Sequence, residues 1–157
     1  MGFLPALVLH TVLVGAYAAN YYTICNDVSS SGHSQLIQRL DETNTTVKQV
    51  TGENVTLILN GATFWAFTYQ YLQINALVDE AVGNYDLSII GFPCNQFAHQ
   101  EPADNATELY NGLKYVRPGS NFIPKFQLMK KIDVNGENET SFYQYLKSSC
   151  PLPEAAK

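Results

Sequence analysis

Three short apolar runs are separated by two stretches with helical spacing. "VTLILN" (55–60) is a continuous, β-branched-rich run, which reads as a strand buried on both faces. From Thr68 to Val82, the positions Tyr71, Leu72, Ile74, Ala76, Leu77, Val78 and Val82 trace a helical face, closed by Gly83-Asn84. "LSIIGF" (87–92) is a second buried strand, stopped at Pro93. Residues 105–115 read as a helix capped by Asp104. "FQLMKKIDV" (126–134) reads as a third strand before the Asn135-Gly136 turn, and 142–147 as a short helix before Pro151. Ahead of these lies a polar arm, 20–53, with room for a short hairpin. The order β-α-β-α-β-α predicts parallel strand pairs in an α/β sandwich, with no second domain.

The first strand-to-helix turn holds an anomaly. In "NGATFWAFTYQY" (60–71) the turn carries Trp65, the chain's one tryptophan, where an α/β protein usually places its chemistry. Composition narrows the remaining classes. Hydrophobic residues are 46% and charged residues 15%, enough for a packed core. A net charge of −5 without a Lys/Arg cluster argues against nucleic acid as a partner. "FLPALVLHTVLVGAYA" followed by cleavage after Ala16-Tyr17-Ala18 reads as a secretory signal over 1–18, leaving no membrane association after its removal. Four glycosylation tripeptides, at Asn44, Asn54, Asn105 and Asn138, agree with an extracellular location. Cys25, Cys94 and Cys150 allow at most one internal disulfide, with several pairings open. No Cys/His spacing suggests a metal, and His33 and His99 read as solvated or hydrogen-bonded side chains.

With these elements placed, "GFPCNQFAHQEP" (91–102) resembles the signature block of glutathione peroxidases. "LKYVRPGSNFIPKFQLMKKIDVNGE" (113–137) is similar to the segment that follows it in secreted and tetrameric members, and 60–77 to their active-site turn. The resemblance implies a thioredoxin-like three-layer α/β/α fold over 38–157, behind the signal and an arm at 19–37, incomplete at its C-terminus. It implies reduction of hydrogen peroxide or organic hydroperoxides by glutathione as co-substrate, with no bound cofactor. By the same resemblance Gln96 hydrogen-bonds the reactive chalcogen, Arg117 attracts the glutathione carboxylates, and the 113–125 segment serves a homotetramer.

The family nucleophile, selenocysteine or cysteine, falls at Trp65. Peroxide reduction needs an ionised chalcogen that attacks the O–O bond. Indole supplies only a donor N–H, so Trp65 is chemically incompetent for that step. Two explanations stand side by side: a selenocysteine UGA codon read as tryptophan, or true loss of the nucleophile. The family's downstream Trp-Asn pair is also absent from these 157 residues. The alternative function is an inactive secreted thioredoxin-like binding module or degenerate paralogue. A weaker one is a thiol peroxidase acting through Cys94, which otherwise reads as a buried structural residue. An abrupt end would bare a sheet edge and an apolar face, predicting poor stability.

Overall fold

The computed structural model describes residues 24–26 and 28–152. The signal stretch at 1–18 lies outside them. The polar arm is more ordered than its composition suggests. β1 (Leu36–Gln38) and β2 (Asn44–Thr46) form an antiparallel hairpin, with Ile37 opposite Thr45. α1 (Val47–Thr51) follows at once, held by a capping box in which Thr46 accepts from Gln49 N–H and the Gln49 side chain accepts from Thr46 N–H.

The central sheet is parallel, in the order β3-β4-β5. β3 (Val55–Gly61) runs along β4 (Leu87–Pro93) over seven registered pairs, from Val55–Leu87 to Gly61–Pro93. α2 (Gln70–Ala81) makes the crossover between them. The order and parallel pairing agree with the periodicity, but the burial of β3 does not. Val55 is 74% exposed and Leu57 41%, and among the described residues β3 is an edge strand that pairs with β4 alone. β4 is the interior strand, and Ile90 is fully buried.

The second helical stretch starts one residue later than expected and divides in two. α3 (Ala106–Asn111) is capped by Asn105, which accepts from Glu108 N–H; Asp104 is not the cap, and its N–H donates to Glu108. A π turn, Gly112–Val116, continues it. The third strand is much shorter than its run. β5 covers only Gln127–Leu128. Beyond it the chain alternates partners: Met129 N–H donates to Gly91, Lys130 to Gln38 and Ile132 to Pro93. α4 (Ser141–Ser149) closes the described chain.

Two apolar clusters sit on opposite faces of the sheet. Tyr71, Ile89, Leu109, Leu113, Phe122, Phe126 and Leu128 pack with α2 and α3. Ile37, Val47, Ile90, Phe92, Met129 and Phe142 pack with the hairpin, α1 and α4. Between β3 and β5, Gly91 leaves space that its neighbours occupy. A Cβ there would stand 3.0 Å from Phe126, 3.2 Å from Leu59 and 3.3 Å from Leu128. Gly91→Ala is therefore expected to lower unfolding free energy by about 1–3 kcal/mol through overpacking. Urea denaturation measures this, and an unchanged midpoint would refute it.

Candidate active site

The residues of interest meet at the C-terminal ends of β3 and β4, where loops leave a parallel sheet. β3 ends in Gly61, and a Cβ there would lie 2.1 Å from the Tyr71 hydroxyl, so only glycine lets that ring stand against the strand end. The chain then turns through 62–69 before α2 begins at Gln70. Three buried side chains fix this turn. Thr63, Thr68 and Glu101 are each about 1% exposed. Thr68 Oγ1 lies within hydrogen-bond reach of the carbonyls of Ala62 (2.8 Å), Thr63 (3.1 Å) and Trp65 (2.7 Å). Thr63 donates to Glu101 through its N–H and its hydroxyl, both at 2.8 Å. Phe64 N–H donates to the Gln100 carbonyl at 2.9 Å, joining the turn to the loop after β4.

Trp65 stands at the surface of this turn, 41% exposed and edge-on to Phe67, with ring centroids 5.2 Å apart. It sits on the strand-to-helix turn, where the sequence places it, five residues ahead of Gln70. It lines a cavity of about 140 Å³ with Asn60, Gly61, Ala62, Cys94, Phe97 and Gln100. The Cys94 thiol is free and buried, in keeping with a structural residue. Its Sγ lies 3.8 Å from Gln96 Oε1.

Gln96 and Arg117 do not line this cavity. The Gln96 amide is committed to backbone: Oε1 accepts from Val134 N–H (2.9 Å) and Asn135 N–H (3.0 Å), and Nε2 donates to the Asn135 carbonyl (2.7 Å). It ties the loop after β4 to the loop before α4. The Arg117 guanidinium lies over the Tyr69 ring, 5.5 Å from its centroid, with Nε buried and without a protein partner. Arg117 thus meets the far end of the 62–69 turn, and Gln96 reaches the cavity only through Cys94. His33 Nε2 is hydrogen-bonded to the Asn54 carbonyl at 3.1 Å. Among the described residues, no cluster of three or more His, Cys, Asp or Glu could hold a metal, and no helix is long and apolar enough to cross a membrane.

A buried carboxylate, two threonines and a turn at a strand end make a scaffold for presenting residue 65. Comparison with known proteins decides which kind. The glutathione peroxidase family model matches residues 32–147. The chain belongs to the glutathione peroxidase family. It is 54% identical to the rat epididymal secretory glutathione peroxidase over 106 residues, which is 68% of this chain and 47% of that protein. It is 53% identical to rat glutathione peroxidase 3 over 104 residues, 66% of this chain and 45% of the relative. The chain thus spans about half the length of the curated relatives it matches. Among solved structures, that of Trgpx in apo form superposes with a TM-score of 0.58 at 27% identity, covering 79% of this chain and 68% of that one. T. cruzi GPX1 superposes with a TM-score of 0.53 at 25% identity, covering 76% and 66%. The fold of this glutathione peroxidase family member is thioredoxin-like.

Glu101 and Thr63 are the site residues that sequence reasoning missed. Glu101 lies inside the signature block "GFPCNQFAHQEP", yet nothing local marks it as buried. Its partner Thr63 is 38 residues away.

Proposed function

We propose that this chain carries the nucleophile half of a secreted glutathione-peroxidase-type site. In this reading the site reduces hydrogen peroxide or organic hydroperoxides with glutathione, and residue 65 is the nucleophile position. The carrying observation is the placement of Trp65: on a turn clamped by Glu101 and Thr68, at the mouth of a small cavity, in a chain of this family. Around it, the N–H groups of Ala66 and Phe67 have no acceptor among the described residues. Such free donors suit an anion held at position 65. A selenolate or thiolate there would attack the outer peroxide oxygen, break the O–O bond and keep that oxygen as the selenenic or sulfenic acid. The other oxygen departs as alkoxide or hydroxide and is protonated to alcohol or water. Two glutathione thiols would then return the acid to selenol or thiol, releasing water and glutathione disulfide. Tryptophan can do none of this.

Secretion and glycosylation belong to the same proposal. The Cys25–Cys150 disulfide suits an oxidising compartment. Asn44 and Asn138 are exposed acceptors. Asn105 is exposed but caps α3, and Asn54 is half-buried, donating to Ser88 at 3.1 Å. We expect glycans at Asn44 and Asn138 first. Among the described residues one edge of β3 has no strand beside it, which suits a further strand and with it the family's downstream Trp-Asn pair. The tetramer contacts of the 113–125 segment enter the proposal by resemblance alone.

The second reading, an inactive module, is favoured by the state of Gln96. Its Oε1 and one Nε2 N–H are tied to 134–135, and the side chain does not line the Trp65 cavity. Arg117 keeps the role of glutathione carboxylate contact only in the first reading.

The deciding experiment is a mass determination of the peptide spanning residue 65 in protein secreted by its native tissue, with selenium measured in parallel. Selenocysteine in the peptide supports the peroxidase. Tryptophan in every copy, with no selenium, assigns the chain to the inactive reading.

A further inference from the structure

We infer that Glu101 is the positioning residue for the 62–68 turn, and so for whatever side chain stands at position 65. The proposal rests on residue 65 being the reactive position, but its readout does not.

Among the described residues, Glu101 is the one acidic residue that is buried. Among the described residues it takes part in no ion pair, since Lys131 donates to its carbonyl at 3.4 Å and pairs with Asp104. Burying a carboxylate without a cation is costly unless donors surround it. Here they do. Oε2 takes both donors of Thr63 at 2.8 Å, and Oε1 lies 3.4 Å from Ala103 N. Its own N–H donates to Asn95 Oδ1 at 2.9 Å. Burial and then the nearby Glu101 charge raise the Tyr71 phenol well above its usual range, so Tyr71 stays neutral under Gly61.

This arrangement has a directional consequence. Thr63 is the second residue past β3, and Glu101 is the eighth past β4. The carboxylate therefore bolts two loops together from beneath. Thr63 is held from its other side as well, by the chain at Gly112, where a Cβ would stand 3.1 Å from Thr63 Cγ2. With Thr63 fixed, 64–67 is held at one end by Phe64 N–H on the Gln100 carbonyl and at the other by Thr68, whose N–H and Oγ1 both reach the Trp65 carbonyl. A charge-assisted acceptor is stronger than a neutral one. The carboxylate thus serves the rigidity of the turn as the acceptor of both Thr63 donors rather than through attraction to a cation.

Trp65 is the chain's one tryptophan, so its emission reports the turn and nothing else. In Glu101→Ala, acrylamide quenching of Trp65 is expected to rise about twofold. Amide exchange in 61–68 is expected to quicken on the order of tenfold, with 126–134 unchanged as the control. Glu101→Gln keeps one oxygen that can accept from Thr63 and is expected to restore most of both. Thr63→Val, which removes only the hydroxyl, is expected to give a smaller rise and decides the matter if Glu101→Ala does not fold. Unchanged quenching and exchange in folded Glu101→Ala, or in Thr63→Val, would overturn the assignment. So would equal loss of protection in 61–68 and 126–134 with no rescue by glutamine, which would make Glu101 a part of general stability. None of these readings changes if the protein turns out to lack peroxidase activity.

Discussion

Trp65→Cys is expected to create hydroperoxide reduction where the tryptophan protein has none. Loss of a nucleophile costs on the order of 10⁶ in rate in a well-studied protease. Returning one to a site without its full set of partners restores part of that, and a gain on the order of 10² over the Trp65 protein is the expected size. The structure gives three reasons. Residue 65 is 41% exposed, so peroxide reaches it without opening the fold. The N–H groups of Ala66 and Phe67, which make no hydrogen bond among the described residues, are available to a thiolate. Glu101 and Thr68 hold the turn from below without occupying the space above it. The gain stays partial because Gln96 is tied to 134–135 and does not line the cavity, and because α2 begins only at Gln70, so the helix N-terminus acts from more than one turn away. The assay is peroxide consumption with dimedone capture of the sulfenic acid, run in a Cys94→Ser background to remove the second thiol. No label at residue 65 and no consumption above the parent would reject the site.

How much of this was legible beforehand depends on how local the determinants are. β4 and α2 were read nearly to the residue, because a buried run and a 3.6-residue period are written into consecutive positions. β3 was read as a strand but given the wrong environment. A run such as "VTLILN" does not state whether a second neighbour exists, and among the described residues β3 has only β4. The third strand was read too long, since residues 129–132 do bond to the hairpin and to β4, but by alternating partners rather than by one ladder. The α3 cap moved from Asp104 to the adjacent Asn105, two residue types with equal claim to that place. The site divides along the same line. Trp65 was found through resemblance of the surrounding sequence. Glu101 was not, because a buried carboxylate is explained by donors that the fold delivers from the far side of a crossover.

Removing the Cys25–Cys150 disulfide is expected to produce the largest stability change in the chain. The bond joins residues 125 apart, which closes nearly the whole described fold into one loop. Loop entropy for such a length corresponds to about 5 kcal/mol, and a compact denatured state reduces the realised loss to about 3–5 kcal/mol. The bond does not act alone. Asn26 N–H and Nδ2 donate to Ser149 and Ser148 at 2.7 and 2.6 Å, and the Tyr145 hydroxyl donates to Ser30 at 2.9 Å. These contacts between the arm and α4 are exposed and weak without the covalent link, because the arm would otherwise lose its ordering entropy for a few solvated hydrogen bonds. Urea denaturation of the Cys25→Ser/Cys150→Ser double variant against the parent measures the effect. Cys94 provides the internal check: buried in the folded parent, it should react with a thiol reagent only above the unfolding midpoint in both proteins. A midpoint shift equivalent to less than about 1 kcal/mol would mean that the denatured chain already keeps its ends close. In that case the hairpin and α4 would hold together through the Ile37–Phe92–Phe142 cluster, and the disulfide would only record their proximity.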